Sequence, residues 1–212
     1  MAFIPPQKDC SLCERLCAFR KNNRINFPTY YNAPVPPFGD LNAEILVVGL
    51  APGLHGANQT GRPFTNDYAG DILYPALKEN GFAKGSYQKK QDDGFELINV
   101  RITNAVRCVP PENKPTTTEE KNCRSFLAEE IASMPNLKVI LCLGGISHKN
   151  VLQALGLKQS YAKFGHGCIY NLSNPAVKLI DSYHTSRYNI NTGVLTYEMF
   201  NRIILQIKKL LR

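Results

Sequence analysis

A chain of 212 residues with 43 % hydrophobic content can bury a full core by itself and is of a size normally built as one domain, here residues 1–212. With 25 Lys and Arg against 17 Asp and Glu the formal charge is +8, which brings a polyanionic partner into view, although the run from Lys208 to Arg212 reads more simply as the solvated end of a terminal helix. The longest apolar runs, 45–49 and 139–143, are strand-sized and far below the roughly 18 residues of a membrane span, and the amino terminus lacks the order of an export signal, so no membrane partner and a cytoplasmic, reducing compartment are expected.

In chain order, the first feature is Cys10-Ser-Leu-Cys13. Seven cysteines are many for such a compartment, and an odd number argues against a closed set of disulfides. Cys108 and Cys123 follow Cys13 with 94 and then 14 intervening residues, so a metal or cluster site is the economical reading. Residues 27–40, rich in proline and aromatics, predict an extended strap. Next comes the apolar, β-branched run 44–49, which predicts a strand buried on both faces of a parallel sheet; 97–106, 137–143 and 177–181 share its character. Helical patterns fall between them at 70–80, 118–133, 147–155 and 196–211, the second opening on a threonine cap with early glutamates. The alternation implies an α/β fold, a parallel sheet with helices on both faces. In such sheets sites form in loops beyond the carboxyl ends of the strands.

Three such loops carry polar chemistry. The first, Gly49-Leu50-Ala51-Pro-Gly53 onward through Phe64 to Asp67, has glycines that permit close approach of backbone to ligand, and it lacks the Gly-Lys-Ser/Thr of a phosphate-binding loop. The second runs from Ile102 through Asn104 and Cys108 to Asn113; an amide offers donor and acceptor together, which suits the imide edge of a pyrimidine. The third runs from Asp181 through His184, Thr185, Ser186, Arg187 and Tyr188 to Gly193, where a histidine at a strand end precedes hydroxyl, basic and aromatic groups suited to an anion and a phosphate backbone.

Taken together, the two cysteine pairs, the stretch 49–67, the stretch from Ile102 to Pro115 and the closing His184 to Gly193 segment resemble the uracil-DNA glycosylase superfamily, over nearly the whole chain. The likeness is greatest to its family 5, because apolar Leu50 stands where family 4 has glutamate. The resemblance implies a three-layer α/β/α sandwich around a four-stranded parallel sheet, and a [4Fe–4S] cluster on Cys10, Cys13, Cys108 and Cys123, a ligand set that zinc would also use. Cys17, Cys142 and Cys168 have no match and read as core or partly buried thiols, Cys17 being one helical turn from Cys13.

The implied chemistry is extrusion of a damaged nucleotide from DNA and hydrolysis of its N-glycosidic bond, leaving an abasic site. Phe64 matches the aromatic that stacks on the base, Asn104 or Asn113 reads its edge, and His184 donates to the developing base anion. Asp67 is the candidate for polarising the attacking water, with Asp71 as rival. Ser186 and Arg187 are expected on phosphate as their loop wedges into the duplex, and the backbone of Gly49, Leu50, Ala51 and Gly53 is expected to line the pocket. Two departures stand out: Asn66 precedes Asp67 where glycine is common, and Thr185 stands where proline is frequent, implying a looser loop. DNA carrying uracil or another deaminated base such as hypoxanthine is the expected partner, with a sliding clamp as a further candidate and a monomer as the expected state. The competing readings are a non-catalytic iron–sulfur or zinc nucleic-acid-binding module, and an electron-transfer protein, which the scattered cysteines disfavour.

Overall fold

The run Ile45–Gly49 forms β1, a strand buried along its whole length, because every side chain faces a helix layer on one side of the sheet or the other. The computed structural model describes residues 3–173 and 176–211; Met1, Ala2, Asn174, Pro175 and Arg212, the last of the basic run, lie outside them. The other elements are α1 (Glu14–Asn26), α2 (Ala57–Thr60), α3 (Tyr68–Glu79), β2 (Ala83–Lys84), β3 (Glu96–Leu97), β4 (Val100–Asn104), α4 (Thr117–Ala132), β5 (Val139–Leu143), α5 (Gly145–Ala154), β6 (Ile169–Ser173), β7 (Ala176–Ser182), α6 (Arg187–Asn191) and α7 (Tyr197–Leu210).

The central sheet has the order β4-β1-β5-β7-β6. Its first four members pair in parallel, as the sequence predicts, and β6 adds a fifth, antiparallel edge to β7. Side chains alternate between two cores: Ile45 and Val47 pack with α3 and α7, while Leu46 and Val48 pack with α4 and α5. This is the expected three-layer sandwich. None of its helices is long and apolar enough to cross a membrane among the described residues.

One boundary differs from the sequence reading for a local reason. The predicted strand 97–106 divides because Asn99 takes a left-handed φ of 58° and its side chain bonds Glu44, leaving Leu97 to the small β2–β3 hairpin. The strap docks on the free edge of β4, where Phe38 and Ile102 exchange backbone hydrogen bonds of 2.9 and 2.7 Å. Helix α4 starts on the expected threonine signal: Thr116 and Glu119 form a reciprocal capping box, and Arg15 of α1 binds the same glutamate at 2.7 Å. That contact ties the first helix to the fourth.

Since β4 and β5 flank β1 on opposite sides, the chain reverses direction across β1 and opens a crevice at the strands' carboxyl ends. Beyond the sheet the loops after β1 and β4 remain joined, Ala105 and Val106 N–H donating to the carbonyls of Gly49 and Leu50 at 2.9 Å. The third loop, after β7, is anchored by Thr185, which is fully buried and donates its hydroxyl to the Ala69 carbonyl at 3.3 Å. The looser loop expected from the absence of proline is thus not observed; a hydrogen bond to α3 takes the place of ring rigidity.

Candidate active site

One cavity sits in this crevice, with about 830 Å³ of empty space including its open mouth. It is lined by Leu50, Ala51, Pro52, Gly53 and Ala57 from the first loop, by Phe64 and Asp67, by Asn104 and Asn113 from the second, and by His184 and Ser186 from the third. The three loops singled out in the sequence therefore converge. Gly49 stands behind the lining: a Cβ there would lie 2.5 Å from both Asn104 Oδ1 and Phe64 Cζ, so only glycine lets these two side chains meet at the floor.

Phe64 holds a left-handed φ of 56°, a conformation that costs a bulky residue roughly 1–3 kcal/mol. Its ring faces that of His184 at 6.3 Å between centroids, tilted by 32°. Asn66, where glycine was the expected residue, also adopts a left-handed φ, 59°, and its amide donates to the His55 carbonyl at 2.8 Å and to Gln59 at 2.9 Å. An asparagine thus serves the same turn, and Asp67 enters the cavity.

Asp67 caps α3, accepting a long 3.4 Å bond from Ala69 N–H on Oδ1. Its Oδ2 lies 3.2 Å from where a Gly53 Cβ would stand and has no hydrogen-bond partner among the described residues, so it can take a water. The rival Asp71 is engaged by Lys89 at 2.8 Å and does not line the cavity. Asn104 is buried at 3 % exposure, and its amide likewise has no partner within the described residues. The amide opens on the cavity, where a water or a ligand can pair it. Asn113 lines the same cavity from an exposed 3₁₀ turn at Pro111–Asn113, with a left-handed φ of 57°.

Burial lowers the pKa of His184, the Asp67 charge opposing only in part, so the ring is neutral at neutral pH and has one N–H to donate. Neither of its nitrogens has a protein partner among the described residues. Ser186 caps α6, accepting from Asn189 N–H at 3.3 Å. Arg187 is outside the cavity proper, in an adjoining groove shared with His55, Asn66 and Tyr68, its guanidinium 5.3 Å from the Tyr68 ring centre. One residue that the sequence reading passed over belongs here: His55 is held by the Tyr30 hydroxyl at 3.0 Å and packs edge-on to Phe27. The aromatic of the third loop, Tyr188 next to Arg187, is 74 % exposed.

A second cavity lies between α1 with the segment before it, the loop after β4 and α4, with about 330 Å³ of empty space including its mouth, and is lined by Cys10, Cys13, Cys17, Cys108 and Cys123 with apolar Leu16, Val106 and Phe126. Cysteines separated by more than a hundred residues therefore meet. None of them forms a disulfide. Burial pushes the Cys108 thiol up to about 12 and raises Cys13 and Cys123 as well. Within the described residues no group of three or more His, Cys, Asp or Glu side chains is spaced to hold a single metal ion. Cys142 is fully buried in β5, as expected, whereas Cys168 is exposed.

Residues 36–208 match the model of the uracil DNA glycosylase superfamily. A type-5 uracil-DNA glycosylase of Thermus thermophilus is 42 % identical, over 99 % of this chain and 97 % of its own length. One of Pyrobaculum aerophilum is 40 % identical over 95 % of this chain and 89 % of its own length. Among solved structures, the crystal structure of Pedobacter heparinus SMUG2 shares the fold at a TM-score of 0.50 and 13 % identity, covering 100 % of this chain and 93 % of that one.

Proposed function

This chain belongs to the uracil DNA glycosylase superfamily, and from that premise we propose that its crevice cavity receives a uracil, or another deaminated base such as hypoxanthine, flipped out of DNA, and hydrolyses the bond joining base to sugar. The observation that carries this reading is that the Asn104 amide and an Asp67 oxygen, neither with a hydrogen-bond partner among the described residues, line one cavity together. An amide matches the alternating donor and acceptor of a base edge, and a carboxylate matches an attacking water.

In this reading Phe64 stacks on the extruded base and Asn104 reads its edge, the buried amide being the better reader than exposed Asn113, which closes the mouth. As the glycosidic bond lengthens, the sugar gains oxocarbenium character and the base becomes an anion. His184 donates its single N–H to that anion, and Asp67 holds and polarises the water on the sugar side. The departing base takes up a proton, leaving an abasic site. Ser186 and Arg187 contact phosphate at the mouth, and exposed Tyr188 is the side chain of that loop available to fill the gap in the stack.

Cys10, Cys13, Cys108 and Cys123 would hold a [4Fe–4S] cluster in the cysteine cavity. An all-thiol donor set lining one cavity suits such a cluster. When bound, the cluster supplies a cross-link: it joins the start of α1 to the loop whose far end is Asn113 and to α4. Cys17 is left outside the ligand set because its thiol donates to the Cys10 carbonyl at 3.2 Å.

The test is to incubate the purified chain with duplexes bearing one uracil or one hypoxanthine, then apply alkali. Strand breaks that appear only after alkali support a glycosylase that cuts no backbone itself. Well-folded protein giving none with either base would leave a nucleic-acid-binding module as the better account. Iron and acid-labile sulfide in the same preparation separate cluster from zinc.

A further inference from the structure

Four arginines are buried among the described residues: Arg20, Arg62, Arg101 and Arg107. A buried guanidinium is costly unless an opposite charge accompanies it. Three of the four obey this rule, Arg62 forking onto Asp93 at 2.8 Å while Arg101 and Arg107 share Glu130. Arg20 has no carboxylate among the described residues. Its Nη2 donates to the Cys10 carbonyl at 2.7 Å, and its remaining contacts are sulfur: Nη1 to Cys108 Sγ at 3.5 Å and Nη2 to Cys17 Sγ at 3.6 Å. Its Nε is buried without a partner. The nearby Asp9 is exposed and taken by Arg24.

Neutral thiols cannot offset this charge. Four cysteines bound as thiolates to iron or to zinc leave a net negative site, which is what a buried lone guanidinium requires. Backbone and side-chain N–H groups complete the setting, Arg107 N–H pointing at Cys123 Sγ at 3.4 Å and the Asn122 amide at Cys13 Sγ at 3.6 Å. Of these donors only Arg20 brings a full charge.

We propose that Arg20 is the buried counter-cation of the thiolate-bound group, a positioning residue that fixes the Cys108 sulfur and governs how tightly the group is retained and how readily it is reduced. This rests on the reading that the four cysteines hold such a group. A positive charge and hydrogen bonds at ligand sulfurs favour the more negative, reduced state, so loss of Arg20 lowers the reduction potential.

The experiment uses the full chain purified with its bound group, as wild type, Arg20→Gln and Arg20→Lys. Iron and sulfide content, the rate of release to a chelator, and the reduction potential are measured on each. For Arg20→Gln we expect release roughly 10–100-fold faster and a lower potential, since partners of ligands commonly change metal affinity by that factor. Arg20→Lys keeps the charge and loses the fork, so it falls between. A merely structural arginine would lower the melting temperature and leave the potential where it was, and that result overturns the proposal. Should Arg20→Gln not fold, Arg20→Lys carries the test: a potential that stays where it was when the pH is raised until the lysine loses its proton overturns the proposal, because the group would then be indifferent to the charge. Zinc without sulfide in the wild type would sink the cluster reading alone, because faster zinc release from Arg20→Gln would still support the counter-cation and unchanged release would refute it.

Discussion

Two of the histidines near β7 each face an aspartate, yet they are built for opposite ends. His148 bonds Asp181 Oδ1 at 2.8 Å through Nδ1 and the Ala162 carbonyl at 3.0 Å through Nε2. The Asp181 carboxylate and the Ala162 carbonyl are both acceptors when Asp181 is ionised, so the pair favours the protonated ring. Burial opposes that charge, but the Asp181 hydrogen bond and the Ala162 carbonyl outweigh it and raise the pKa. His184 follows three residues after Asp181, beyond the end of the strand, and there burial lowers the pKa against a more distant Asp67. One histidine is satisfied by the protein and fixes the fold. The other is left neutral and unpaired, facing a cavity that also holds an unpaired amide and an unpaired carboxylate oxygen. Polar groups that the fold does not satisfy mark where a ligand is expected to do so.

The contrast can be broken from either side. The largest effect is expected at the cavity: Asp67→Asn keeps a capping side chain on α3 and removes the carboxylate, so the single-turnover rate on a uracil duplex should fall by roughly 10²–10⁴-fold with little change in melting temperature. On the other side, His148→Ala strands Asp181 in the interior and should cost about 3–5 kcal/mol in denaturant unfolding, while the folded fraction keeps its wild-type rate.

The pH dependence should also split. The raised His148 pKa contributes stability that is complete below the ordinary imidazole value of about 6.5 and is lost as pH rises through the folded value. His184 has the opposite sign: the unfolded chain takes up its proton first, so stability falls as pH drops below about 6.5. Proton NMR titration of the two rings should place His148 above and His184 below that value. Smaller effects belong to contacts with DNA. Phe64→Ala should weaken productive binding by about 1–3 kcal/mol, read in the concentration dependence of single turnover. The least is expected of Arg187→Gln, which should lower the salt slope of duplex binding by about one.

The parallel sheet was legible because its strands are buried on both faces and read as unbroken apolar runs, as in β1 and β5. The cavity was legible because glycines, amides and a histidine cluster just after those runs. Helix α1 was not, since its buried positions include Arg20 and Asn23 alongside Leu16 and leave no apolar stripe to find. The edge strand β6 escaped for a related reason, its Ile169 being exposed while Leu172 is buried. His55 and Arg20 take their meaning from partners far away in the chain, Tyr30 and Cys108, which no spacing rule connects.

A crystal structure of Asp67→Asn bound to a duplex with a single uracil tests the central claim most directly. The account predicts the uracil outside the helix, stacked on Phe64, with its imide edge on the Asn104 amide and His184 facing the base. A uracil still stacked in the duplex, or lodged in the outer groove beside His55 with Asn104 untouched, would contradict it.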